Sequence, residues 1–535
     1  MSIQQDAFRY AIKNAYEHKG KANQGAVLGK LKALYKDEDV KYLALVAKEA
    51  CDKVNSFEFS EIERNFKVFD VQGWELKPQQ GRTGLPNLDW AEKGEKVITR
   101  YAPNPNGPMH LGNARAAFLS YAYAEKYSGK FILRFEDTDP KVKKPMKDPE
   151  KVFKEDLEWL GIRVSEIYFA SDRLNIYYDY MRKIIRLGKA YVCFCEPEEW
   201  KEKILTMQPC PCRGKKVEEH LASFEKMVSH ELTEGSCVLR LKTDLSHKDP
   251  SVRDWWIARI IDNPDHPRVG KKFHVWPSYM FQSAIDDHEL GITLILRGQE
   301  HSQNQTKQEY LYNYFGWKYP HAIHFGRFSI GNIVLSTSKT KEGIEKGFYK
   351  GWDDVRLGTL KAFRRRGFKP EALQKIIIDS GLTASDAKIS FDKLASYNRE
   401  LIVNQAKRTP FFKEVQQIII EKNSFDFPRE IYVEKQLAFS NIGKTLRLKN
   451  SFAITITRNQ KGFFGSLSKS TQNYSQTILW ICKPLEVNLL LDDNSILKGF
   501  IESTNLNNGE YFYLEKIGFF IVDDKEKSLL CYSHY

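Results

Sequence analysis

Residues 96–135 change character three times. "KVITRYA", 96–102, is an apolar, strand-like run. "PNPNGPMHLGN", 103–113, is a turn rich in proline, glycine and asparagine. Residues 114–127 carry a helical pattern that Ser128-Gly129 stops, and "FILRF", 131–135, is strand-like again. Strand, helix and strand at these lengths make a βαβ unit, because strands joined through a helix run parallel and the crossover is right-handed. Such sheets bind ligands at the carboxyl ends of their strands, where 103–113 falls.

The rest of the chain divides around this unit. Residues 1–93 read as a charged, helical extension that ends in a Gly/Pro-rich linker, 77–89. The first half of the parallel-sheet domain spans 94–188. It includes one helix opened by Asp148-Pro149 and closed by Gly161, and another opened by Ser171-Asp172 and closed by Gly188. Residues 189–275 break the rhythm and read as an insertion. "HVWPSYMF" and "GITLILRG" return to strand-like runs, placing the second half of the sheet domain at 276–341. Residues 342–408 are helical in pattern. From 409 to 535, β-like runs such as "FAITIT" and "EYFYLEKIGFFIV" alternate with turn clusters, which predicts one or two antiparallel barrels. No internal repeat is evident.

A chain of 535 residues with 82 Lys plus Arg against 69 Asp plus Glu carries a formal charge of +13, which favours polyanionic partners or a solvated lysine-rich surface. No apolar run approaches the ~20 residues that span a bilayer, and "MSIQQDAFRY" is not a secretory signal, so the expected compartment is the cytoplasm.

At 103–113 the following helix offers unpaired N–H groups and a positive dipole end to a phosphate. Pro103, Pro105 and Pro108 stiffen the approach, Gly112 lets a ring or phosphate come close to the backbone, and His110 projects as a donor. By itself the segment reads more readily as a rigid structural turn than as a phosphate site.

"RYAPNPNGPMHLGN" resembles the first, HIGH-type signature of class I aminoacyl-tRNA synthetases, with the lead-in of the glutamyl/glutaminyl subgroup. The second signature, KMSKS, is matched by "LSTSKTK", 335–341. "ILRFEDTDP", "VWPSYMFQSAIDDHELGITLILRGQEH" and "GWDDVRLGTLKAFRRRGF" extend the likeness over nearly the whole chain, and the β-rich C-terminus resembles the archaeal glutamyl type. Two positions depart from the commoner motifs: Asn113 stands for the last His of HIGH, and Ser336 for the first Lys of KMSKS.

The resemblance implies a multidomain α/β plus all-β protein. Its parts would be an N-terminal helical extension, a Rossmann-type catalytic domain with an acceptor-end-binding insertion, a tRNA-contacting helical domain and anticodon-binding C-terminal antiparallel β-barrels. It implies a monomer that activates glutamate with ATP and Mg2+ and transfers it to tRNA(Glu), with tRNA(Gln) left open as a second acceptor. The amino-acid carboxylate is the nucleophile, so catalysis is positioning and charge stabilisation.

The residues implied for ATP are His110, Gly112, Asn113, Ser338, Lys339 and Glu300, with His110 and Lys339 catalytic. Those implied for glutamate are Arg100, Ala102, Asn104, Glu136, Tyr279 and Arg297. Arg297 faces the substrate side chain, where a guanidinium holds a carboxylate by two parallel bonds and disfavours a neutral amide. Arg364, Arg365 and Arg366 are implied for tRNA. A glutaminyl enzyme, a non-catalytic tRNA-binding paralogue and another nucleotidyltransferase are the rival readings. Arg297 argues against the first, retention of His110, Gly112 and Lys339 against the second, and the chain's length and β-rich end against the third.

Of eight cysteines, four crowd into "CFCEPEEWKEKILTMQPCPC". Cys193, Cys195, Cys210 and Cys212 suit a structural four-thiolate zinc site, or remain reduced thiols without metal. Cys51, Cys237, Cys482 and Cys531 read as packing residues, and Trp255 and Trp256 as core.

Overall fold

The computed structural model describes residues 3–18, 20–35, 38–71, 84–331, 333–422, 427–468 and 474–535. It separates into two compact units, Met1–Thr83 and Gly84–Tyr535. The first is helical: Ile3–Glu17, Gln24–Leu34, Val40–Asn55 and Phe59–Val71 bury Ala7, Ala11, Ile12, Leu31, Leu43 and Val46 against one another. Residues 84–93, read from sequence as part of this extension, belong to the second unit. There Leu88 is buried in the sheet-domain core and its N–H donates to the Tyr127 hydroxyl at 2.7 Å. Most of the predicted linker, 77–83, lies outside the described residues.

The second unit is built on a parallel five-stranded sheet. Its order is Glu166–Phe169, Lys130–Phe135, Ile98–Tyr101, Leu294–Gly298, His321–Phe325. Every pairing in it is parallel, from Ile132 against Glu166 to Gly298 against Phe325. The order reverses between Ile98–Tyr101 and Leu294–Gly298, so the carboxyl ends of these two strands flank the switch-point crevice where such sheets take ligands. The crossover helix runs Leu111–Lys126, starting three residues before the predicted 114 because His110 caps it. Its exit requires glycine: a Cβ on Gly129 would stand 1.8 Å from the Val97 carbonyl oxygen.

The insertion is an antiparallel sheet, Ala190–Cys193, Val238–Leu241, Trp256–Ile260 and Val275–Pro277, paired in chain order. Its last strand passes the predicted boundary at 275. "HVWPSYMF" is therefore not one strand. The Ser278 hydroxyl accepts the Phe281 N–H at 3.4 Å and starts the helix Tyr279–Glu289. Trp255 is buried in the insertion core as expected.

Helices Thr337–Glu345, Leu360–Arg365, Pro370–Asp379 and Phe391–Ile402 follow. Two six-stranded sheets close the chain. The six strands from Val415–Lys422 to Thr477–Ile478 form one of them, lying in the chain between Lys407–Thr409 and Pro484–Leu490 of the other. Both are mixed rather than purely antiparallel. Lys407–Thr409 pairs parallel with Tyr511–Leu514, Pro484–Leu490 with Leu529–His534, and Val415–Lys422 with Gly462–Ser468. The long connections permit this, because strands separated by a long excursion are not bound to hairpin geometry. No helix among the described residues is long and apolar enough to cross a membrane.

Candidate active site

The segment 103–113 is tied down at intervals. The Pro103 carbonyl accepts the Glu136 N–H at 2.8 Å, and the Pro105 carbonyl accepts the Met146 N–H at 2.9 Å. Met109 N–H donates to Asp156 at 3.1 Å, while Leu111 N–H and the Met109 carbonyl bond Gly358 and Leu360, each at 2.9 Å. Prolines lower the entropy lost on ordering, and these bonds select one conformation.

His110 is the helix N-cap. Its Nδ1 accepts the Asn113 N–H at 3.2 Å, and Asn113 Oδ1 accepts the His110 N–H at 2.8 Å. An accepting Nδ1 leaves the proton of the neutral ring on Nε2. Burial pushes the imidazole pKa down to about 4, so the ring is a neutral Nε2–H donor at ordinary pH. Gly112 serves this ring: an added Cβ would meet His110 Nδ1 at 3.0 Å and Cε1 at 3.1 Å.

A cavity of about 570 Å³ opens at the switch point. Arg100, Ala102, Asn104, His110, Gly112, Asn113, Tyr279, Arg297 and Glu300 all line it. Glu136, Ser338 and Lys339 do not. Glu136 is buried behind the wall, where its Oε1 accepts from Arg134 at 2.9 Å and its Oε2 has no partner. Burial pushes its pKa up to about 7, against the opposing pull of Arg134. Lys339 is exposed in the first turn of Thr337–Glu345, which the Ser336 hydroxyl caps by accepting the Lys339 N–H at 3.4 Å. Leu335, just before this helix, does reach the cavity. The two signature segments also touch: a Cβ on Gly107 would fall 2.4 Å from Thr337 Cγ2.

Arg100 and Arg297, two of the four arginines on the cavity wall, differ in charge environment. Arg100 reaches Asp287 with Nε at 3.1 Å and Nη2 at 3.3 Å, and Arg134 reaches the same carboxylate at 2.8 Å. Against the upward effect of burial, Arg100 and Arg134 hold Asp287 below the usual carboxylate range. Arg297 is 5 % exposed, and all three of its partners are neutral. Nε donates to His324 at 3.1 Å, Nη1 to Gln308 at 3.1 Å and Nη2 to Tyr319 at 3.0 Å. Among the described residues no carboxylate lies within 4 Å of it. A buried cation without a counter-ion is costly.

Sequence reasoning missed Asp287, Arg134, Gln308, Tyr319 and His324. "SAIDDHE" does signal acids on a helix, but nothing in the sequence says that Asp287 faces Arg100. Arg115 was missed too. It is fully buried over Phe325 at 4.7 Å and donates to the Gly326 and Gly381 carbonyls.

The arginine run splits. Arg366 is 4 % exposed and donates to the Ser533, Tyr532 and Val355 carbonyls at 2.7, 3.3 and 3.4 Å. It joins a helix to the C-terminal strand, so the expected phosphate contact is corrected: no phosphate reaches it. Arg364 and Arg365 keep side chains 39 % and 25 % exposed beside a cleft of about 700 Å³.

The four sulfurs of Cys193, Cys195, Cys210 and Cys212 lie within 4.8 Å of one another. Cys193 to Cys210 is 3.8 Å and Cys195 to Cys212 is 4.0 Å. Zn–S bonds of about 2.3 Å in a tetrahedron place sulfurs about 3.8 Å apart, so the set fits zinc. The Phe194 N–H donates to Cys212 Sγ at 3.4 Å, as suits a thiolate. The other four cysteines stand apart, Cys51, Cys237 and Cys531 buried and Cys482 half-buried.

The family model described as "tRNA synthetases class I (E and Q), catalytic domain" matches residues 96–404. The chain is 44 % identical to the glutamate–tRNA ligase of Thermococcus kodakarensis over 99 % of both chains. It is 44 % identical to that of Pyrococcus abyssi over 100 % of both, and 38 % identical to that of Methanocaldococcus jannaschii over 98 % of both. With the switch-point cavity, the capped His110 and the uncancelled Arg297, these likenesses show that the chain belongs to the glutamate–tRNA ligases of the class I glutamate- and glutamine-type synthetase family.

Proposed function

We propose that the switch-point cavity is where this glutamate–tRNA ligase condenses glutamate with ATP, and that Arg297 selects the amino acid. The single observation behind this is the buried Arg297 guanidinium with three neutral partners and no carboxylate. Glutamate brings the missing negative charge; glutamine does not, and would leave the cation unpaired at a cost of about 1–3 kcal/mol or more.

In the first half-reaction the glutamate α-carboxylate oxygen attacks the α-phosphorus of ATP. An O–P bond forms, the bond to pyrophosphate breaks, and glutamyl-adenylate results. In the second, the terminal ribose hydroxyl of tRNA attacks the acyl carbon, AMP leaves, and the hydroxyl proton goes with it or to solvent. His110 Nε2–H donates to a phosphate oxygen as charge builds there and transfers no proton. Tyr279 and Asn104 border the amino-acid end of the cavity. The Asn104 Oδ1, buried with no partner, is an acceptor suited to the α-ammonium. Lys339 and Ser338 act by closure of their segment over the phosphates, because at rest they stand outside the cavity wall.

Glu300 is the one carboxylate on the described wall, so Mg2+ would arrive on the ATP phosphates rather than in a protein cage. Zinc would be held by the four cysteine sulfurs as a structural cross-link in the insertion. Arg364 and Arg365 are proposed for the tRNA backbone. The protein is proposed to act as a cytoplasmic monomer, with the C-terminal sheets reading the anticodon.

Aminoacylation kinetics of Arg297→Gln test the central reading. The expected result is a rise of roughly 10²-fold or more in KM for glutamate with KM for ATP unchanged. Unchanged glutamate kinetics would reject it. Charging purified tRNA(Glu) and tRNA(Gln) side by side tests whether the second is also an acceptor.

A further inference from the structure

An arginine that must read a carboxylate needs two things: a fixed plane and an uncancelled charge. The ordinary way to fix a buried arginine is a carboxylate, as Asp287 fixes Arg100. At Arg297 that would neutralise the charge the ligand is meant to meet.

The neighbours of Arg297 avoid this. Gln308 is fully buried, and its amide has one usable orientation, because Nε2 donates to the Met280 carbonyl at 3.4 Å and so turns Oε1 toward Arg297. The Tyr319 hydroxyl accepts from Arg297 Nη2 at 3.0 Å and donates to the same Gln308 Oε1 at 2.8 Å. His324 Nε2 accepts from Arg297 Nε at 3.1 Å, which a neutral ring alone can do. Arg297 has five N–H donors, and these partners take three. One N–H remains on each terminal nitrogen, the number that a carboxylate engages in a two-bond fork.

We infer that Gln308, Tyr319 and His324 are positioning residues for amino-acid selection, an uncharged cradle that orients Arg297 while leaving its positive charge whole for the glutamate side-chain carboxylate. This rests on the reading of Arg297 given above. Gln308 is the decisive member, since its Oε1 accepts from both Arg297 and Tyr319 and it differs from a neutralising glutamate by one atom.

The test uses the full-length enzyme with tRNA and compares Gln308→Glu, Gln308→Met and Arg297→Gln for KM of glutamate, KM of ATP, kcat and melting temperature. Gln308→Glu would set a carboxylate beside Arg297 and keep it ionised, so KM for glutamate is expected to rise about 100-fold while KM for ATP stays within about two-fold. Gln308→Met removes the acceptor but adds no charge, and is expected to raise KM for glutamate by only about ten-fold. The preference for glutamate over glutamine is expected to fall in Gln308→Glu.

A wild-type KM for glutamate in Gln308→Glu, with glutamate use lost in Arg297→Gln, overturns the cradle and leaves the Arg297 reading intact. Normal glutamate kinetics in Arg297→Gln overturn that reading, and the cradle with it. Equal rises for glutamate and ATP in Gln308→Glu, or a loss equal to that of Gln308→Met, assign Gln308 a merely structural role and also overturn the inference.

Discussion

Asn113 Oδ1 accepts the His110 N–H at 2.8 Å while His110 Nδ1 accepts the Asn113 N–H at 3.2 Å. The position at which this chain departs from the commoner HIGH motif is therefore half of a capping box. It holds the imidazole on the helix N-terminus and selects the tautomer that donates into the cavity. Asn113→Ala removes one acceptor and is expected to lower stability by about 0.5–2 kcal/mol and to lower kcat as His110 loosens. Asn113→Asp keeps the cap but adds a negative charge beside the phosphates, so it should raise KM for ATP with less loss of stability. Thermal melts and steady-state kinetics of the pair check both.

Gly112→Ala tests how closely the ring is held. Its Cβ would lie 3.0 Å from His110 Nδ1, so the ring must shift. A fall of roughly 10²-fold in kcat is expected with a melting temperature near wild type. A folded variant with full activity would show that the ring position is not used in catalysis.

The acid side of the pH profile follows from the His110 tautomer. With its pKa pushed down to about 4 by burial, His110 does not ionise between pH 5 and 8, and kcat/KM should show no step near 6.5 from this residue. For stability the sign is set by the lowered value. The unfolded chain takes up the proton first, at about 6.5, so stability is fully present above that pH and falls as the pH drops toward 4. His110→Gln should flatten this part of the stability curve, measured by urea unfolding at several pH values.

Metal analysis of purified protein should find about one zinc per chain. Cys210→Ser should lose it and melt at lower temperature, and removal by chelator should do the same. Protein that contains no zinc and is indifferent to chelators would reject the site.

Within the arginine run, Arg366→Ala and Arg365→Ala should separate. Arg366 binds three carbonyls in the interior, so its loss should cost about 2–4 kcal/mol of stability and leave KM for tRNA unchanged in the folded fraction. Arg365→Ala should raise KM for tRNA and shallow its salt dependence by about one counter-ion.

The parallel sheet, the insertion and the β-rich end are legible in the sequence because each has a local cause: apolar period, helix stop, turn cluster. Nine of the implied pocket residues could likewise be named in advance, since they sit within contiguous signatures. What could not be read is which charges meet. Arg100 and Arg297 look alike in one dimension; the chain alone does not show that Asp287 cancels the first while Gln308, Tyr319 and His324 leave the second whole. Arg365 and Arg366 are neighbours and both reach strands at the far end of the chain, yet one pairs with the Asp523 carboxylate at the edge of a cleft and the other is buried on backbone carbonyls. The mixed pairing of the last two sheets is hidden for the same reason. Sequence patterns report each residue's own preference for water, helix or strand. The sign and distance of a partner hundreds of positions away is a property of packing, and packing alone decided it.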